Sequence, residues 1–121
     1  MAMNILRVAA AIACVALLPS VASAASGEKL YKKKCKMCHS LVAGKHGSGP
    51  SLAGIMGQTA GTRDGYRKYN GLKDSTIVWT NETMDAWLAN PKKFIGKKTG
   101  MMVRTKKAED RTAIIEYLNA Q

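Results

Sequence analysis

Acidic residues are scarce in this chain. Asp and Glu number 8 against 19 Lys and Arg, a formal net charge of +11. That balance points to an acidic partner without saying which kind. Aromatic residues make up only 6%, with a single Phe, so side chains alone offer few large core fillers. Length is limited too. A chain of 121 residues allows one small domain and excludes a multidomain enzyme. A domain of that size buries a modest share of its surface and commonly depends on a staple. With 3 cysteines, complete pairing within the chain is excluded. The one apolar run is short for a spanning helix, which needs about 20 apolar residues.

That run is the first positive feature. Arg7 is the only charge before Glu28, Val8 to Leu18 is almost wholly apolar, and Pro19 and Ser20 end it. Ala22-Ser23-Ala24 then reads as a small-residue cleavage site. The pattern is that of a secretory signal peptide, with an uncleaved anchor as the alternative. Cys14 lies inside the run and leaves with it. Lipid anchoring at Cys14 is the weaker reading, because Ala11 stands where such signals usually carry a branched aliphatic residue. Cleavage after Ala24 divides the chain into a leader, 1–24, and one domain, 25–121, of 121 − 24 = 97 residues. The leader carries one Arg and no acid, so the mature balance is 18 − 8 = +10, and the mature protein is expected in the periplasm.

Two cysteines remain, in the run Cys35-Lys36-Met37-Cys38-His39. C-x-x-C-H is the signature of c-type haem attachment. Two thiols about one helical turn apart can each form a thioether to a vinyl group of one porphyrin. His39 then lies under the ring, where its imidazole can bind iron. A thioredoxin-type redox motif needs a βαβ context, and none is visible. A zinc site needs a second ligand pair, but the only other histidine is His46. A plain disulfide leaves His39 idle. Export adds weight, since c-type haem is usually attached outside the cytoplasm.

The remaining pattern is helical. Residues 27–38 read as a first helix, with Leu30 and Tyr31 apolar among lysines. Met84, Trp87 and Leu88 fall at i, i+3, i+4 in a second, 81–90, which Asn90-Pro91 stops. A third runs over 106–120, with Glu109 and Asp110 in its first turn and Ile114, Tyr117 and Leu118 as its apolar stripe. Between them, residues 40–80 hold eight glycines, at 44, 47, 49, 54, 57, 61, 65 and 71, which reads as loops and short turns. No run alternates as a strand. The expected fold is all-α, with three main helices and long loops wrapped around one covalently attached haem, whose bulk makes up for the missing aromatics. A structureless loop of that length is otherwise unusual in a small domain.

In order along the mature chain, the sequence resembles the class I c-type cytochromes, close to mitochondrial cytochrome c and bacterial cytochromes c2. Gly27 and Tyr31 match helix-contact positions of the family's first helix, and Ile114 and Tyr117 those of its last. Cys35, Cys38 and His39 match its haem motif, and Gly49-Pro50-Ser51-Leu52 its Gly-Pro-Asn-Leu run. Trp79, then Leu88-Ala89-Asn90-Pro91-Lys92-Lys93-Phe94-Ile95, match the approach to its methionine loop.

The resemblance implies a methionine as the second iron ligand. Thr99-Gly100-Met101-Met102-Val103 follows the family's Thr-Lys-Met-x-Phe segment and the step to Tyr117-Leu118 is gapless, so Met101 is preferred over Met102. In that register Val103 takes a buried aromatic's place. Met56 and Met84 read as core packing. The resemblance also implies that the Pro50 carbonyl fixes the tautomer of His39. It further implies that Trp79, Thr99 and either Tyr66 or Tyr69 bond haem propionates. Trp87 stands where the family usually has a tyrosine, Gln58 replaces an arginine usual near a propionate, and His46 matches a histidine that latches a loop.

A His and Met pair fills both axial positions and favours the ferrous state relative to two imidazoles. That suits one-electron transfer and works against catalysis. The implied protein is a soluble monomeric carrier between respiratory or photosynthetic redox proteins, not an enzyme. Its partners would be acidic: a cytochrome bc1-type complex, a terminal oxidase, a reaction centre or a dehydrogenase. They would dock at a haem edge ringed by lysines, with Lys34, Lys92, Lys93, Lys97, Lys98, Lys106 and Lys107 as candidates. No nucleic-acid motif appears and no stable membrane insertion is expected. A tightly bound subunit of a periplasmic dehydrogenase or reductase is the alternative. A gas sensor or peroxidase-like enzyme with an open iron site is the third reading.

Overall fold

A computed structural model of the chain describes residues 11, 13–16 and 22–121. The signal-peptide expectation over residues 1–24 falls for the most part outside the described residues. Among them are four helices, α1 (Ala22–Lys34), α2 (Asn81–Ala89), α3 (Pro91–Ile95) and α4 (Ala108–Asn119), and no strand. The all-α expectation holds, with one more helix than the sequence pattern predicts.

The first helix ends earlier than the expected residue 38. Its last turn carries Lys32, Lys33 and Lys34, which suit the negative end of the helix dipole. The Tyr31 carbonyl then accepts from the N–H of both Cys35 (2.8 Å) and Lys36 (3.0 Å). Spending one carbonyl on two donors breaks the regular ladder. Cys35 to Cys38 therefore continue as turns, with the Cys38 and His39 N–H groups both bonded to the Cys35 carbonyl at 3.1 and 2.9 Å.

Helix α2 starts at a reciprocal cap. The Thr80 hydroxyl accepts from the Thr83 N–H at 3.2 Å, and the Thr83 hydroxyl accepts from the Thr80 N–H at 2.9 Å. Met84, Trp87 and Leu88 are its buried residues, as their spacing predicts. Asn90 ends α2 but also starts α3, because its side chain accepts from the Lys93 N–H at 3.2 Å and Pro91 sits at the first helical position. Pro is favoured there because that N–H has no helical partner anyway. Gly96, at φ 70°, closes α3 in the left-handed conformation.

Helices α1 and α4 cross at Gly27. A Cβ there would collide with the Ala113 carbonyl and sit 2.9 Å from the Tyr117 Cβ, so only glycine fits. The rings of Tyr31 and Tyr117 meet at 5.6 Å beside this crossing. The core gathers Ile55, Ala60, Leu72, Trp79, Met84, Trp87, Leu88, Ile114, Ile115 and Leu118, with Met56 and Met101 packed against it. Residues 40–80 form turns and bends, with one isolated antiparallel bridge between Thr59 and Val78. These loops and the segment 96–107 wrap a cavity in front of the core.

Candidate functional site

The cavity has a volume of about 810 Å³ and a mostly apolar wall. Every site residue expected from the sequence lines it: Cys35, Cys38, His39, Pro50, Tyr66, Tyr69, Trp79, Trp87, Thr99, Met101 and Met102. They come from the turn after α1, the glycine-rich loops, α2 and the segment before α4. His46 does not line it. Its ring holds a loop instead, with Nε2 2.8 Å from the Asp64 carbonyl and Nδ1 accepting from the Ser51 N–H at 2.9 Å.

His39 is oriented through its backbone and its ring. Nδ1 lies 2.7 Å from the Pro50 carbonyl, which fixes the proton on that nitrogen and leaves the Nε2 lone pair free. Burial pushes the imidazole's pKa down, against the raising effect of the Pro50 carbonyl, so the neutral form is favoured. Gly49 lies flat on the ring, where a Cβ would come within 2.6 Å of Nδ1 and 2.8 Å of Nε2. The Tyr31 hydroxyl donates to the His39 carbonyl at 3.1 Å, a contact the sequence pattern does not reveal. The Cys35 thiol is buried, and burial pushes its pKa up to about 11.

The two methionines differ. Met101 is half-buried against the core, whereas Met102 is 80% exposed. The Met101 N–H is held by the Thr99 hydroxyl oxygen at 3.3 Å, so Thr99 keeps its own proton for another acceptor. Val103 is not buried in the manner expected. It is 40% exposed and borders the cavity, and Thr105 is the buried residue of this segment. The physical reason lies in Thr105, whose N–H donates to the Leu88 carbonyl at 2.7 Å and draws the chain inward two residues later. Arg111 straps the same stretch. Its Nη1 donates to the carbonyls of Thr105 (3.0 Å) and Lys106 (2.9 Å), and its Nε to Asp85 at 2.7 Å.

The tyrosines also separate. Tyr66 donates its hydroxyl proton to the Ser48 carbonyl. The Tyr69 hydroxyl accepts from the Arg63 N–H at 3.1 Å and keeps its proton. Burial raises the pKa of both phenols. Their rings meet edge to face at 4.8 Å. Trp79 and Trp87 pack at 5.5 Å, both buried. Of the seven candidate lysines only Lys34 lines the cavity; the other six are exposed, and Lys68, which is not one of the seven, lines it as well.

Three features fit a haem c group. The cavity is large and mostly apolar, with core side chains such as Ile55, Leu72, Trp87 and Leu88 in its wall. Two thiols and a neutral imidazole stand together on its lining. In addition, Nη2 of Arg63, another lining residue, is buried with no hydrogen-bond partner among the described residues. A buried cationic donor in that state calls for an acceptor, which a haem carboxylate supplies.

Similarity to known proteins points the same way. The sequence profile described as Cytochrome c matches residues 24–121. A "Cytochrome c 2.1" of Caenorhabditis elegans is 36% identical over 95 residues, covering 78% of this chain and 86% of that protein. A "Cytochrome c" of Ginkgo biloba is 37% identical over 94 residues, covering 77% and 83%. The solved "cytochrome cH from Methylobacterium extorquens" superposes with a TM-score of 0.72 at 35% identity, covering 81% of this chain and 98% of that one. The chain belongs to the cytochrome c family, a class I c-type cytochrome that carries electrons on a covalently held haem c and its iron.

Proposed function

We propose that the chain is an exported, soluble one-electron carrier whose haem is joined to Cys35 and Cys38 and whose iron is ligated by His39 and Met101. The convergence of these four residues on one apolar cavity carries the reading. When bound, the haem supplies an iron that alternates between ferric and ferrous states. The chain's own residues do the rest. Cys35 and Cys38 would fix the ring's position through thioethers. The Pro50 carbonyl orients His39 so that Nε2 is the available donor. Thr99 holds the backbone N–H of Met101, which sets where its sulfur can reach. Leu52, Ile55, Leu72 and Leu88 keep water from the wall. Trp79, Thr99 and Tyr69 are the groups for the propionates, and Tyr69 is preferred over Tyr66 because its hydroxyl proton is not already donated.

Export to the periplasm rests on the leader pattern before Ala25. No described helix is long and apolar enough to cross a membrane. The exposed lysines supply a positive surface for acidic donors and acceptors of a respiratory or photosynthetic chain. A visible spectrum of the purified protein tests the reading. Haem c bands on reduction and the weak red sulfur-to-iron band on oxidation are expected. Ready binding of carbon monoxide by the ferrous protein at neutral pH would overturn the two-ligand carrier. The mature protein recovered from the periplasm should begin at Ala25.

A further inference from the structure

We propose that Arg63 is the cation that pairs with a haem propionate in this chain. The assignment rests on the haem-binding reading above and adds a residue to it. A guanidinium keeps its charge, and a buried donor nitrogen without a hydrogen-bond partner is unfavourable. Nη2 of Arg63 is buried and unpartnered among the described residues. The ion pairs among those residues are Glu28 with Lys32 and Asp85 with Arg111, so Arg63 has no carboxylate of its own. Arg63 is a cavity-lining residue. The anions a haem brings to such a cavity are its propionates.

The placement is built into the loop. The Thr62 hydroxyl donates to the Thr59 carbonyl at 2.6 Å on one side. On the other, His46 lies 2.8 Å from the Asp64 carbonyl, and the Tyr66 N–H donates to the Arg63 carbonyl at 3.3 Å. The Arg63 N–H is itself bonded to Tyr69, whose free hydroxyl proton serves the same carboxylate. Gln58, which stands where the family usually has its propionate arginine, is neutral. Arg63 supplies that charge from a different point of the cavity wall.

Pairing holds the propionate ionised and offsets its charge near the iron, so removing the guanidinium favours the ferric state. Reduction potentials of the haem-loaded protein test this across pH, in wild type, Arg63→Gln, Arg67→Gln and Arg63→Gln/Gln58→Arg. Arg67 is exposed and matches the lost charge. Lys34, His39, Asp64, Tyr66, Lys68 and Tyr69 also line the cavity and are unchanged in every variant. The ferrous-to-ferric ratio of Arg63→Gln at a fixed electrode potential should fall about tenfold, which is about 59 mV for one electron. Arg67→Gln should fall far less, and the double variant should recover. A wild type without haem c bands overturns the haem reading and this assignment together. Intact bands with Arg63→Gln equal to Arg67→Gln overturn this assignment alone. Should Arg63→Gln not load haem, the wild type decides by nuclear magnetic resonance titration of the propionates. One propionate must stay ionised below the usual carboxylate pKa of about 4; two propionates titrating at or above it overturn the pairing.

Discussion

Met101 and Met102 are neighbours in sequence with opposite surroundings, one half-buried on the core and one 80% exposed. That contrast makes a clean substitution test. Met101→Ala should abolish the weak red sulfur-to-iron band of the oxidised protein, and Met102→Ala should keep it; the reverse would place the ligand at Met102. Tyr31 offers a second test. Burial raises its phenol, and its hydroxyl donates to the His39 carbonyl. A raised folded-state pKa means the contribution to stability is present below the unfolded value of about 10. It is lost as pH rises through the folded value. Tyr31→Phe should therefore cost about 1 kcal/mol at neutral pH. The variant should also lose less stability than wild type above pH about 10. Denaturant unfolding at both pH values checks it, and parallel pH dependences would count against the argument. Arg63 shows what escapes this scale of reading. The sequence displays a charge in a glycine-rich loop, but only folding shows that one nitrogen of it is buried and unpartnered.

Among the helices, legibility followed how locally each signal was encoded. The apolar spacing of α2 and the acidic first turn of α4 are written within one or two turns of chain, and both helices formed where expected, α4 at Ala108–Asn119. The end of α1 depends on how the Tyr31 carbonyl divides between two donors, which spacing does not record. Helix α3 was hidden because Asn90-Pro91 is equally a stop and a start. The haem motif was legible outright, since its chemistry needs those residue types at that spacing. Two tests belong here. Gly27→Ala forces a methyl into the Ala113 backbone and should cost about 1–3 kcal/mol in unfolding free energy. Arg111→Ala removes three hydrogen bonds at the foot of the Met101 segment. It should destabilise by about 2–3 kcal/mol and weaken the sulfur-to-iron band at temperatures below global unfolding. A variant whose band and unfolding disappear together would show that Arg111 does not act on that segment.

For the molecule as a whole, the expected mature charge of 18 − 8 = +10 on a small body creates a long-range field. Oxidation and reduction by an acidic partner should slow as ionic strength rises, because the Debye length shrinks from about 10 Å at 0.1 M to about 3 Å at 1 M. A flat response in stopped-flow rates would exclude steering. Lys92 and Lys93 lie exposed on α3, and Lys29 lies exposed on α1. Charge reversal at Lys92 and Lys93 should slow the reaction more than reversal at Lys29. The crossing at Gly27 sets one further property, the order of assembly. The segment that carries the haem motif is synthesised first, yet the helix that covers α1 is nearly the last to exist. A long loop must close before that contact can form, and such closures are slow. The contact at Gly27 therefore ties the first helix of the described fold to the last, and neither helix can complete it before the whole domain is present.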